Sequence, residues 1–402
     1  MKLLHTADWH LGKRLDRFSR IEEQKAVLNE IICIANRESV DMVVVAGDLF
    51  DSFNPPAEAI ELFFETLIQL SDHGNRPVIA IAGNHDAPAF INAPNALAKI
   101  NGIILTGFPL DRIAPYKAKG FEILQSDKGF VELKINSIDF PVRVALTPFA
   151  NEWRLKSYMG EDREQALNDA LKNHWQKIAT NYCDNQGVNL LVTHLYMNKR
   201  NTPLLDEPDG EKPLKIGTAD LIYTDAIPTE FQYVALGHLH NFNDIGTENC
   251  PIVYASSPLC YSFSEAGQQK AVAIVELFPN KKTVVNRLPL SSGYQLHRPT
   301  FNDIENAVQF LENHKNTYVE LTFCSDEFIK NEDKKRLFAA HDKIVYLIPQ
   351  IVKKGKKNNQ EHHNINLNKS EWELFVDYFK LKNNNQEPNE DIKNLFKEIT
   401  QP

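Results

Sequence analysis

Five short apolar runs in this chain each stop abruptly on aspartate, asparagine or histidine. After "KLLHTA" come Asp8 and His10, after "MVVVAG" Asp48, after "VIAIAG" Asn84 and His85, after "LLVT" His194, and after "YVALG" His238 and His240. Runs so short, apolar on both faces, are strands of a covered and mainly parallel sheet. Such a sheet delivers its strand C-termini to one edge, where ligands gather. A single Asp after a strand is ordinarily a turn or a helix cap, and a single His a satisfied core residue. Five such endings together predict one shared polar site.

The rest of the pattern places that site in an α/β chain. From Lys2 to about Thr106, strands alternate with helical periodicity at Arg20–Glu38, Ala57–Ser71 and Pro88–Ile100. A second set of strands covers Val142–Leu146, Leu190–Thr193, Tyr233–Leu236, Pro251–Tyr254 and Ala271–Leu277, with a helix near Arg163–Tyr182. Turns separate the later strands more than helices do, which predicts an antiparallel half packed on the first. From about 289 to 351 a helix, the strand "TYVELTF", a helix and the strand "KIVYLI" form a small α+β unit. Residues 352–369, nearly devoid of apolar side chains, make a flexible linker. Beyond it, Trp372, Phe375, Val376 and Phe379, then Ile392, Leu395, Phe396 and Ile399, each fall at i, i+3, i+4, i+7. Two helices that short are marginal alone and must dock, on the parent domain or on a partner.

Charge and cysteines restrict the setting. The 402 residues carry a net charge of −9, so the surface as a whole repels nucleic acid and anionic membranes, and a polyanion must be recruited locally. Cys33, Cys183, Cys250, Cys260 and Cys324 form no C-x-x-C pair and are odd in number, which argues against a disulfide framework. The start "MKLLHTADWH" is too short an apolar core for a secretory signal, and no apolar run reaches a membrane-spanning length of about 18 residues. The expected compartment is the cytoplasm.

The residue types at the strand ends define the chemistry. Asp8, His10, Asp48, Asn84, His194, His238 and His240 form a borderline-hard set without thiolate, suited to Mn²⁺, Fe²⁺ or Zn²⁺. Seven candidates exceed one tetrahedral ion, so two ions sharing a ligand are expected, with Asp48 as the carboxylate that bridges them. Asp8/His10 and His238/His240 are spaced by two, so in extended backbone both members face one side. Asn84 and His85 are neighbours and point differently, one towards metal and the other towards substrate. Two dications, two carboxylates and a hydroxide leave roughly +1, which a phosphoester oxygen would complement. His85, outside the ligand set, is the expected proton donor to the leaving group. Asp86 either orients His85 or caps the following helix, with Pro88 in its first turn.

In the order D-x-H, G-D, G-N-H-D, T-H, G-H-x-H these residues resemble the calcineurin-like metallophosphoesterase superfamily. Within it, "LLHTADWHLGK", "VVVAGDLFDSFNPP", "GNHDAP", "YVALGHLH" and "ASSPLCYSFSEAGQQKAV" resemble the SbcD family of bacterial nuclease subunits. The resemblance implies a two-sheet β-sandwich flanked by helices over 1–288, a capping domain over 289–351 and helices over 370–402 that bind the coiled-coil base of the ATPase SbcC. It implies a manganese-dependent 3′-to-5′ double-strand exonuclease and single-strand or hairpin endonuclease, with Mg²⁺, Fe²⁺ or Zn²⁺ as alternatives in the same positions. Asp8, His10, Asp48 and His240 would hold one ion, Asp48, Asn84, His194 and His238 the other, and His85 would donate the proton. A homodimer through Ala57–Leu70 and Pro88–Ile100 and a heterotetramer with SbcC also follow from it. One position departs: archaeal and eukaryotic relatives place a histidine where this chain has Asp51.

Recruitment of DNA would fall to "GKRLDRFSR", which brings Lys13, Arg14, Arg17 and Arg20 near His10; a solvated loop is the plain alternative. Lys353, Lys354, Lys356 and Lys357 keep the linker extended. A phosphoesterase for small phosphoesters or phosphoproteins, or a non-catalytic DNA tether, are the competing functions. The complete ligand set disfavours the tether, and the added unit with its helices disfavours a small-molecule enzyme.

Overall fold

The computed structural model describes residues 1–160, 162–206, 221–327, 329–351, 371–382, 387–388, 390, 392–393 and 396. The linker at 352–369, residues 207–213 of the Pro- and acid-rich loop, Leu395 and Ile399 lie outside them. Residues 1–351 form one compact unit and 352–402 another.

Two sheets face each other in the first unit. One has six strands in the order Val284–Pro289, Ala271–Glu276, Lys2–Thr6, Met42–Ala46, Val78–Ile81, Ile103–Thr106. The other has seven, in the order Asn243–Asp244, Ile252–Tyr254, Tyr233–Gly237, Val188–His194, Val142–Thr147, Phe130–Ile135, Phe121–Asp127. Leu3, Val44 and Ile79 of the first sheet share one buried cluster with Val144, Leu190 and Tyr233 of the second. The outer face of the first sheet packs on helices Ile21–Arg37 and Ala57–Leu70, that of the second on Arg163–Tyr182. The four layers explain why the central strands are apolar on both faces: neither face meets water.

The second sheet is not the antiparallel half that its short connections suggest. Val188–His194 runs parallel to both Val142–Thr147 and Tyr233–Gly237, which runs parallel to Ile252–Tyr254. Only the flanking strands are antiparallel. The connection from His194 carries the chain back to the start of the next parallel strand, and its sequence shows no helical periodicity to advertise a crossover. In the first half, the expected helix over 88–100 is two, Pro88–Asn92 and Asn95–Ile100. Pro94 precedes the second, and a proline in that position cannot continue the first helix's hydrogen bonding.

The segment from 289 to 351 builds its own four-stranded sheet, all in parallel pairing, with helices Ile304–Asn313 and Asn331–Ala340 over a separate small core around Leu311, Val319 and Leu337. In the second unit the helix Glu371–Lys382 carries Trp372 and Phe375, whose ring centroids lie 5.2 and 4.7 Å from that of Phe396. Phe396, from the second apolar stripe, thus meets the first.

Candidate metal centre

Parallel pairing sets the site. Lys2–Thr6, Met42–Ala46 and Val78–Ile81 are neighbouring parallel strands that end at one level, followed by Asp8 and His10, Asp48, and Asn84 with His85. Across the sandwich, His194 ends one strand, and its parallel neighbour leads into His238 and His240. The two C-terminal edges meet, and all eight residues are at most 8% exposed.

The donor atoms converge. Asp8, His10 and His240 each offer an atom within 4.8 Å of the others, as do Asp8, Asp48 and His194. His10 Nε2 and His240 Nε2 are 3.0 Å apart. Asn84 Oδ1 lies 2.9 Å from His194 Nε2 and 3.2 Å from His238 Nδ1. Between these two groups sits Asp48, whose Oδ2 is 3.5 Å from His10 Nε2 and 3.4 Å from His194 Nε2. His85 stands beside His10, ring centroids 4.8 Å apart, with its Nδ1 3.1 Å from the Asp51 carbonyl oxygen. All of the sequence-derived candidates are therefore brought together, and His85 and Asn84 do take different directions.

The local backbone is costly. Asp8, His10, Asp48 and His238 have φ of 54°, 43°, 47° and 107°, a region that costs side-chain-bearing residues about 1–3 kcal/mol each and that clusters at functional sites. Close approach accounts for the glycines of the motifs. A Cβ on Gly83 would lie 2.1 Å from Asp48 Oδ1, and one on Gly47 2.2 Å from His194 Nδ1.

Two carboxylate oxygens test whether cations belong here. Asp8 Oδ2 and Asp48 Oδ2 are buried and accept no hydrogen bond among the described residues. The partner oxygens are occupied: Asp8 Oδ1 accepts the His238 backbone N–H at 2.9 Å and Asp48 Oδ1 that of His85 at 2.9 Å. A buried, unsatisfied anionic oxygen is expensive, and an oxygen- and nitrogen-lined pair of cation positions removes that cost. The residues fit divalent metal ions.

Electrostatics agree. Burial raises the Asp8 carboxyl to about 6, against the pull of His194 and His240. Burial opposes charge on His194 as well, but Asp48 and Asp8 outweigh it and raise the imidazole to about 9. Asp48 is held well below the usual carboxylate range, its burial overcome chiefly by His194. Protons stand where bound cations would compensate the same charge.

Two supporting residues, Arg154 and Gln24, escaped the sequence reading, and a third was misread. Asp86 neither orients His85 nor caps the helix. Its carboxylate accepts the backbone N–H groups of Leu49, Phe50 and Gly83 at 3.0, 2.9 and 2.8 Å, tying the Asp48 loop to the Asn84 turn. Arg154 grips that turn from the carbonyl side, at 2.8 Å to both Gly83 O and Asp86 O. Gln24 donates to His10 O at 2.8 Å and accepts from Gly12 N at 3.1 Å. No local spacing advertises Arg154 or Gln24, since both act on backbone distant in sequence.

The basic loop divides. Arg20 is 1% exposed, bonded to both Glu23 carboxylate oxygens and the Cys260 carbonyl, so it is a core residue and no phosphate contact. The Glu23 carboxylate three residues on captures it. Lys13 Nζ is held 2.8 Å from Asp51 Oδ1, and Arg14 stays exposed.

Over residues 1–242 the chain matches the family model described as calcineurin-like phosphoesterase. The SbcD component of the nuclease SbcCD from Bacillus subtilis (strain 168) is 31% identical over 410 residues, covering 99% of this chain and 97% of its own. The chain belongs to the SbcD family of calcineurin-like phosphoesterases. A second SbcD relative, from Staphylococcus epidermidis, is 32% identical over 299 residues, 72% of this chain and 70% of that one. Among solved structures, a dimetal phosphatase from Danio rerio covers 73% of this chain and 97% of its own, at 14% identity and a TM-score of 0.39. SbcD membership agrees with a two-sheet α/β fold whose strand ends carry candidate ligands for divalent metal. No helix among the described residues is long and apolar enough to cross a membrane.

Proposed function

We propose that this chain is a cytoplasmic DNA nuclease subunit that hydrolyses phosphodiester bonds at the centre around Asp48, together with the ATPase SbcC, in repair and recombination. The observation that carries it is Asp48 Oδ2, buried between His10 and His194 at 3.5 and 3.4 Å, within a chain related to SbcD along nearly its whole length. Asp8, His10, Asp48 and His240 hold one divalent ion; Asp48, Asn84, His194 and His238 hold the second. Mn²⁺ is the working metal, with Mg²⁺, Fe²⁺ or Zn²⁺ able to take the same donors. When bound, two such ions supply a water ionised near neutral pH and charge stabilisation for in-line displacement at phosphorus.

The protein groups do the remainder. His85 Nδ1 beside the Asp51 carbonyl, an acceptor only, is fixed as an N–H, so the proton for the leaving alkoxide is the second one, held on Nε2 when the ring is doubly protonated. Asp86 and Arg154 hold the turn that aims it. Lys13 and Arg14 supply local positive charge for the DNA backbone on an otherwise acidic protein.

Residues 1–288 form the nuclease domain and 289–351 the capping domain, supported by the separate sheet and core of the latter. Residues 352–369 are the linker, and 370–402 bind the coiled-coil base of SbcC in a heterotetramer. Homodimerisation uses Ala57–Leu70 and Pro88–Ile100; Leu97 and Ile100, 69% and 77% exposed, support that surface. The activity is a 3′-to-5′ exonuclease on duplex DNA and an endonuclease on single strands and hairpins.

The test is a cleavage assay on linear duplex and hairpin DNA with Mn²⁺, with and without SbcC, beside a chromogenic phosphodiester. Cleavage of both DNAs, stimulated by SbcC, is the expected result. Hydrolysis of the chromogenic ester alone would replace DNA by small phosphoesters.

A further inference from the structure

The stretch "ASSPLCYSFSEAGQQKAV" carries no candidate ligand, yet it reaches the metal centre from behind. Glu265 and Lys270 are 1% and 5% exposed. Glu265 Oε1 lies 3.3 Å from Nδ1 of His240, and Oε2 lies 2.6 Å from Lys270 Nζ. The ammonium also donates to the His240 carbonyl at 2.7 Å and to Gln268 Oε1 at 2.9 Å, so its three N–H bonds are all used. Glu265 is fixed further by the backbone N–H groups of Tyr261 and Ser262 at 3.2 and 3.1 Å and by the Ser257 and Ser262 hydroxyls at 3.4 and 3.1 Å. Phe263 anchors the same loop in a small core with Leu15, Leu296 and Tyr318.

Stability does not account for this pair. A buried ion pair adds little over well-packed apolar residues of equal volume, because desolvation offsets the attraction. Its geometry does account for it. A carboxylate accepts only, so Nδ1 of His240 carries the hydrogen, and the lone pair of Nε2 is left on the side where His10 Nε2 stands 3.0 Å away. His194 is set by the same logic with a different partner: its Nδ1 lies 2.8 Å from the Ala46 carbonyl, leaving Nε2 for the centre. Partners of this kind behind a ligating imidazole are typically worth 10–100-fold in metal affinity.

We propose that Glu265 and Lys270 are positioning residues of the metal centre: Glu265 fixes the tautomer and ring plane of His240, and Lys270 fixes Glu265. The inference rests on the two-ion reading above and deepens it, by giving one of the ions a charged tuning pair of its own. The pair acts on the ion held by His240, through the imidazole, and leaves the ion held by Asn84, His194 and His238 untouched.

The experiment is calorimetric titration of the full-length metal-free protein with Mn²⁺. Wild type takes up two ions. Glu265→Ala combined with Lys270→Met, which removes both charges together, weakens one ion 10–100-fold and leaves the other unchanged. Glu265→Gln combined with Lys270→Met, in which the amide oxygen still accepts from Nδ1 and the amide NH2 no longer faces an ammonium, recovers most of the affinity lost by the first double variant. Glu265→Asp keeps the charge pair and withdraws the carboxylate from the imidazole, so it weakens the same ion and decides the matter even where the double variant does not fold. Two ions bound with wild-type affinity by folded Glu265→Asp, or equal weakening of both, would overturn the proposal while leaving the two-ion reading intact. A wild type that binds no Mn²⁺ would overturn both.

Discussion

Asp48 holds His85 by its backbone: Asp48 Oδ1 accepts the His85 N–H at 2.9 Å, while Oδ2 faces His10 and His194. In the proposed reaction one carboxylate thus serves the donor set with one oxygen and places the acid with the other. The two roles separate by substitution, because Asp48 holds His85 through its main chain, which a change of the ring leaves in place.

Replacing His85 with alanine should therefore reduce Mn²⁺-dependent cleavage of linear duplex DNA by about 10²–10⁴-fold and leave metal uptake nearly intact. Single-turnover cleavage and Mn²⁺ titration of the same preparation check it. Cleavage at the wild-type rate would remove His85 from the reaction.

A bridging ligand and a terminal one differ in what their loss costs. Asp48→Ala should abolish tight uptake of both ions, whereas Asn84→Ala should weaken only one. Equilibrium dialysis against Mn²⁺ distinguishes these outcomes. Retention of one tightly bound ion by Asp48→Ala would show that the carboxylate is not shared.

Asp86 carries a structural prediction. Removing its carboxylate strands three backbone N–H groups in a buried turn, and each costs about 1–3 kcal/mol when left unsatisfied. Asp86→Ala should lower the stability of the 1–351 unit by roughly 3 kcal/mol or more and depress cleavage even where the chain folds. Denaturant unfolding gives the number, and a change below about 1 kcal/mol would contradict the staple.

Metal uptake should depend on pH with a definite sign. In the metal-free protein His194, raised to about 9, carries a proton at neutral pH, and Asp8, raised to about 6, takes one below that. Both must be lost on ligation, so apparent affinity should climb as pH rises towards about 9 and fall steeply below about 6. Calorimetry at neutral pH in buffers of differing ionisation enthalpy should report release of about one proton. Uptake without proton release would argue against His194 as a ligand.

The convergence of the candidate residues was more legible in the sequence than the pairing of the sheets. Asp8, Asp48, Asn84 and the histidines were legible because each closes an apolar run, and parallel pairing brings such endings together without further instruction. The pairing sense of the second sheet was not legible: the sequence between His194 and Tyr233 carries Pro, Gly and acidic residues in place of a helical period, so a parallel crossover reads as a turn. Asp86 was misread because Pro88 does begin a helix, and a carboxylate just before a helix is ordinarily its cap. Arg20 looked like a phosphate contact by its proximity to His10, although Glu23 three positions on already offered it a buried partner.

The carboxy-terminal segment makes a separable claim. Deleting 370–402 should weaken co-purification with SbcC without unfolding residues 1–351, which form their own compact unit. Pull-down from a co-expression strain, with circular dichroism of the truncated protein, checks both parts. Unchanged association would place the contact elsewhere.

The central claim is a pair of cations sharing Asp48, and anomalous diffraction at the manganese edge from Mn²⁺-soaked crystals tests it most directly. Two anomalous peaks on either side of Asp48 Oδ2 are predicted, one against His10 and His240 and the other against Asn84, His194 and His238. A single peak, or none within coordination distance of Asp48, would contradict the account.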